Sequence, residues 1–141
     1  LLGKMAAYAQ GFAVMSAASK EFVWNLHMPT IAKIWRAGCI IQSRFLDEIA
    51  QAFDDNPNVA NLMVTNSFSA LLKDKESSLR ACLANAILDG MPVPALSSAL
   101  SYIDTYRRGQ GNANMIQAQR DFFGAHGFKR IDKDGNHHGE W

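Results

Sequence analysis

The densest grouping of residues able to do chemistry is Gln117-Ala118-Gln119-Arg120-Asp121-Phe122-Phe123-Gly124-Ala125-His126, which combines polar side chains, two aromatics and a helix stop. Arginine presents a planar fork of donors suited to a phosphate or a carboxylate, and a histidine beside it adds one more donor. Six positions separate Arg120 from His126, so they meet only if the chain reverses between them. A left-handed C-cap at Gly124 would turn the chain back across the last helical turn and bring His126 near Arg120. On spacing alone, a surface arginine near a helix end beside an unremarkable histidine is the plainer reading.

Other constellations fail on spacing. Asp132-Lys133-Asp134-Gly135-Asn136 has the composition of a calcium loop, but the glycine comes fourth instead of sixth and the chain stops before a bidentate glutamate. His126, His137, His138 and Glu140 are metal-ligand types without ligand spacing on a regular element, so no metal site is expected. Cys39 and Cys82 fall within helical patterns and read as small core residues, not as nucleophiles held by a histidine. No strand leads into a glycine-rich phosphate loop. The basic residues are scattered, so no helix offers a face for nucleic acid.

The elements that must position these residues are helices. The first is expected from Leu2 to about Trp24, with no polar face and hence burial nearly all round. Short helices are expected over 30–36 and, with Ile41, Phe45, Ile49 and Phe53 repeating every fourth residue, over 39–53. Asn66 can cap a helix that faces Phe68, Leu71 and Leu72 inward, continues through Leu79, Cys82, Leu83, Ala86 and Ile87, and ends at Gly90. Pro94 starts another, with Leu96, Ala99, Leu100, Ile103 and Tyr106 inward. The last covers 113–123. Gly127, Asp134-Gly135 and Gly139 then make residues 127–141 an extended tail, whose Phe128, Ile131 and Trp141 must dock on its own domain or on a partner.

The 141 residues are 48% hydrophobic and 19% charged with a net charge of +1, which excludes disorder and any global field toward nucleic acid or an anionic membrane. The charge-free run Met5–Ser19 falls short of the ~20 apolar residues of a membrane span. Two cysteines make no disulfide scaffold and fit a reducing compartment, with a cytoplasmic location expected. The apolar pattern is already running at Leu1-Leu2, so a longer protein is expected.

In order along the chain, Tyr8-Ala9-Gln10-Gly11-Phe12, Ile34-Trp35-Arg36-Ala37-Gly38-Cys39-Ile40-Ile41, Ala60-Asn61-Leu62, Gly90-Met91-Pro92-Val93-Pro94, the stretch Ile116–His126 and the closing His138-Gly139-Glu140-Trp141 resemble the C-terminal domain of the 6-phosphogluconate dehydrogenase family. The resemblance implies an all-α, multi-helix domain over 1–126 that dimerises and completes a substrate site, followed by the extended tail 127–141. It also implies oxidative decarboxylation of 6-phosphogluconate to ribulose 5-phosphate with reduction of NADP, in the pentose phosphate pathway. The cofactor would be held mainly by an N-terminal Rossmann domain absent from this chain. The catalytic residues would also lie upstream, leaving none here and the chain alone inactive. In the homodimer that the family forms, the tail threads through the other subunit. The matching motif positions make Arg120 and His126 the substrate-binding residues lent to the partner. The sequence departs from the family pattern at Gln42, Gly111-Asn112, Gly127 and Gly139, and glycine in the tail raises the cost of ordering it. A stand-alone helical interaction module, or a related hydroxyacid dehydrogenase acting on another acid, are the alternatives.

Overall fold

A computed structural model describes residues 1–141. It contains six α-helices: α1 Leu2–Glu21, α2 Met28–Ile34, α3 Phe45–Asp55, α4 Asn66–Leu88, α5 Pro94–Tyr106 and α6 Ala113–Gly124. One 3-10 turn, Leu62–Val64, precedes α4. No strand is present beyond the isolated antiparallel bridge between Phe128 and His137, so the chain is all-α as expected. No helix is long and apolar enough to cross a membrane.

The chain divides within α5 into two compact units, Leu1–Ile103 and Asp104–Trp141. Helix α6 and residues 127–141 thus share one unit. Position 126/127, expected as the boundary of the helical domain, falls just past the end of α6 inside that unit.

The first unit has an apolar core in which Met5, Phe12, Leu46, Ile49, Leu62 and Phe68 are fully buried. Phe12 sits 5.4 Å from the rings of both Trp35 and Phe53, and Phe45 lies 6.2 Å from Phe68. Asn61 is the buried polar exception here. Its carbonyl oxygen accepts from Met63 N–H at 2.9 Å and its amide donates to the Tyr102 hydroxyl at 2.6 Å, which ties the 3-10 turn to α5. Gly3 allows α1 and α5 to approach closely, since a Cβ there would fall 2.6 Å from Leu96 Cδ2.

Several expectations need correction. In α1 only the N-terminal half is buried, through Leu2, Met5, Ala6, Tyr8, Ala9 and Phe12, while Val14 and the following Phe22, Val23 and Trp24 are exposed. Residues 39–44 are not helical. The Tyr8 hydroxyl donates to the Ile41 carbonyl and Lys4 Nζ to that of Gln42, so α1 occupies acceptors that a helix would give to later amides. Ser43 Oγ meanwhile accepts from the Phe45 N–H. Burial raises the pKa of the Tyr8 phenol. Cys82 is exposed on α4 and Cys39 is half-buried in the turn, so neither is a core residue. Ile87, Leu96 and Tyr106 are exposed despite their stripe positions. The N-cap of α4 is Thr65, and Asn66 is its first helical residue.

Candidate functional site

Helix α6 is the scaffold of the second unit, and its faces have separate tasks. At 100° per residue, Asn114, Gln117, Ala118 and Asp121 share one face, while Met115, Ile116, Gln119 and Phe123 share the opposite one. The first face carries the tail. Gln117 Nε2 donates to the Gly127 carbonyl at 2.5 Å, and Asp121 Oδ1 accepts from the Gly127 N–H at 2.8 Å. The second face leaves Met115, Ile116 and Phe123 exposed.

The helix ends one residue later than expected. Ala125, at φ 48° and ψ 39°, takes the left-handed C-cap, and its N–H donates to the Asp121 carbonyl at 2.8 Å. Gly124 remains helical. A Cβ at Gly124 would lie 2.8 Å from His126 Nε2, so this glycine makes room for the imidazole folded back over the helix. Arg120 is four residues before Gly124 and therefore one turn below it on the same edge. The structure thus brings His126 to the helix edge that carries Arg120. The reversal expected from the spacing is present, with Ala125 in the role assigned to Gly124.

Both side chains face outward. Arg120 and His126 are exposed, and Arg120 stands outside the ion pairs that engage Arg36, Arg80, Arg107 and Arg130. The neighbouring Asp121 does not consume its charge, because residues one apart on a helix do not face each other. A groove of 510 Å³ within this unit is lined by Asn114, Gln117, Phe128, Arg130 and Trp141, among others, and Arg120 and His126 lie outside it.

Asp121 is the group that sequence reasoning missed. It is 2% exposed and accepts four hydrogen bonds. Oδ1 takes the Gly127 N–H at 2.8 Å and His138 Nδ1 at 2.8 Å; Oδ2 takes the Gly139 N–H at 2.7 Å and Trp141 Nε1 at 2.8 Å. The Gly139 amide above all, with the Trp141 indole, His138 and the Gly127 amide, holds its carboxyl well below the usual carboxylate range despite burial. These donors come from 6 to 20 residues downstream, and no local pattern announces them. The available signal was a carboxylate followed by a glycine-rich tail ending in donor side chains.

The tail is folded back as an irregular hairpin. Phe128 and His137 exchange both main-chain hydrogen bonds, at 2.8 and 2.9 Å, and Gly135 turns the chain at φ +100°. Trp141 meets Phe122 edge-on at 6.0 Å. Gly127 and Gly139 are points of close approach. The Asn136 side chain lies over Gly127 (φ +73°), and the Trp141 ring lies 2.5 Å from where a Gly139 Cβ would stand. Within the hairpin, Arg130 holds Asp132 through two hydrogen bonds of 2.8 and 2.6 Å, which lowers the Asp132 carboxyl to about 2.

The family model for the 6-phosphogluconate dehydrogenase C-terminal domain matches residues 1–141. The chain belongs to this family. It is 50% identical over 140 residues to the decarboxylating 6-phosphogluconate dehydrogenase of Escherichia coli K12, a match covering 99% of this chain and 30% of that protein. The NADP(+)-dependent decarboxylating enzyme of Bacillus subtilis is 46% identical over the same length, again with 30% of that protein covered. The Plasmodium falciparum 6-phosphogluconate dehydrogenase, solved in its apo form, with its cofactor NADP+ and with its substrate 6-phosphogluconate, superimposes with a TM-score of 0.94 at 39% identity. That superposition covers 99% of this chain and 30% of the Plasmodium chain.

No strand leads into a glycine-rich turn and a helix N-terminus, the arrangement by which a Rossmann unit holds a dinucleotide. No group of three or more His, Cys, Asp or Glu side chains comes together to hold a metal ion.

Proposed function

We propose that this chain is the dimerising and substrate-completing part of a decarboxylating 6-phosphogluconate dehydrogenase. The whole protein oxidises 6-phosphogluconate to ribulose 5-phosphate and reduces NADP, in the cytoplasm, with the dinucleotide held mainly by an N-terminal Rossmann domain. Within this assignment, residues 1–126 form the helical domain, 127–141 the tail, and the tail threads through the other subunit of a homodimer. Arg120 and His126 then contact substrate in the neighbouring subunit's site.

The observation that carries this reading is the placement of Arg120 and His126. They share one edge of α6, exposed, outside the groove of their own unit, and with the Arg120 guanidinium not engaged by a carboxylate of the chain. Such a pair is a donor surface looking for an anion. Arg120 supplies charge-assisted hydrogen bonds to the phosphate, and His126 adds a polar contact to the same substrate. The phosphate does not react, so this binding orients the sugar for chemistry performed by upstream residues.

The test is Arg120→Ala in the full-length protein. A hydrogen bond to a charged group contributes about 1.5–3 kcal/mol, so substrate affinity should fall roughly ten- to a hundredfold. Lysine at position 120 should recover only part of that loss, because a point charge replaces a planar fork. Unchanged 6-phosphogluconate binding in Arg120→Ala would contradict the assignment.

A further inference from the structure

We propose that Asp121 is a positioning residue for the site completed by Arg120 and His126. Its buried carboxylate locks the chain reversal that lays His126 on the Arg120 edge of α6. This rests on the reading of Arg120 and His126 as substrate contacts.

His126 is reached from α6 through Ala125, a non-glycine residue in the left-handed region, which L-residues disfavour. Such a conformation persists where its surroundings over-determine it. Here they do so from both sides of the imidazole. Before it, the Ala125 N–H is held by the Asp121 carbonyl. After it, both main-chain groups of Gly127 are held by side chains one turn apart on α6: its N–H by Asp121 and its carbonyl by Gln117. The peptide that links His126 to Gly127 is therefore fixed to the helix.

The remaining donors on Asp121 explain how a tail with no apolar core stays in place. His138 Nδ1, the Gly139 N–H and Trp141 Nε1 bring residues 138–141 onto the same carboxylate. Four donors match the four acceptor sites of an ionised carboxylate, so none is left for Arg120 or a ligand. Asp121 acts on substrate only through what it holds.

The experiment compares Asp121→Asn, His126→Ala and the double variant in the full-length protein. Asparagine keeps the shape but turns an NH2 toward two of the four donors. If Asp121 works by placing His126, the KM for 6-phosphogluconate should rise by about the same factor in both single variants, roughly three- to tenfold for one hydrogen bond. The double variant should show no further rise, while the KM for NADP and the sedimentation mass stay unchanged. A merely structural role would instead multiply the two effects or shift NADP affinity and assembly, and either result overturns the proposal. So does an unchanged KM in Asp121→Asn when His126→Ala raises it. If both Arg120→Ala and His126→Ala leave the substrate KM unchanged, the underlying site assignment is wrong and this inference falls with it. Should Asp121→Asn fail to assemble, Trp141→Phe removes a single donor and keeps an aromatic ring against Phe122. It should raise the 6-phosphogluconate KM in the wild-type background and not in the His126→Ala background, and no rise in the wild type overturns the proposal.

Discussion

The two units are held together by opposite means. Every buried apolar side chain lies in residues 1–103, where Phe12, Phe53, Phe68 and Ile49 make a conventional core. In residues 104–141 the most buried side chain is a carboxylate, and Ile116, Phe122, Phe123, Ile131 and Trp141 remain exposed. A core built from apolar contacts is insensitive to the fate of any one polar group. The second unit is a polar clasp, in which one atom pair, Asp121 Oδ1 and Oδ2, gathers four separate donors. Its exposed apolar side chains suit a segment that finishes its burial against another chain, while the clasp presets its shape.

The largest effect that would sharpen this contrast is in the first unit. Phe12→Ala should lower global stability by about 3–5 kcal/mol, the usual loss for a buried aromatic, measured by denaturant unfolding. A loss under about 1 kcal/mol would mean that the core is not centred where Phe12 meets Trp35 and Phe53.

In the second unit, acid should open the clasp. The Asp121 pKa is lowered in the folded state, so its contribution is fully present above the ordinary carboxyl value of 3.8 and is lost as pH falls below it. His138 is the titratable side chain facing it. Hydrogen exchange at the Gly127 and Gly139 amides should therefore show protection held at pH 5 and lost progressively below 3.8. Protection lost already between pH 6 and 5 would assign the clasp to some other group. At neutral pH those two amides should exchange through local opening, faster than the Ile49 amide in the core. The smallest expected effect is on Trp141→Phe, which removes one donor of four and should speed exchange at Gly139 while leaving the denaturant midpoint of the first unit unchanged. The chain by itself should show no reduction of NADP with 6-phosphogluconate, and measurable turnover would place catalytic groups where none is assigned.

Much of the helical layout is legible in the residues. Gly90, with φ +70°, lies just beyond α4 as the pattern requires, Pro94 opens α5, and Phe45, Ile49 and Phe53 form the buried stripe of α3. Ile41 continues that stripe in sequence but not in space, because the Tyr8 hydroxyl takes its carbonyl from 33 residues away. The exposed outer half of α1 was illegible for a related reason: an apolar face looks the same whether its cover lies in the same chain or elsewhere. At the site, the role of Arg120 and His126 came only from the family resemblance, whereas the chain reversal between them could be read from residue types. The physical cause of Gly124 could not, because space for an imidazole and a left-handed φ leave the same glycine. Asp121 was hidden by the distance to its donors.

If Arg120 serves the neighbouring subunit's site, one subunit can supply it to another. The most direct measurement mixes a full-length Arg120→Ala subunit with a subunit disabled in its own upstream catalytic residues, and assays the purified heterodimer. If each site borrows Arg120 from its partner, the catalytically competent site lies in the Arg120→Ala subunit and takes its arginine from the disabled one. One site per dimer should then turn over at near the normal rate with a normal KM for 6-phosphogluconate. An assembled heterodimer without activity would show that Arg120 acts within its own chain, and would contradict the shared site.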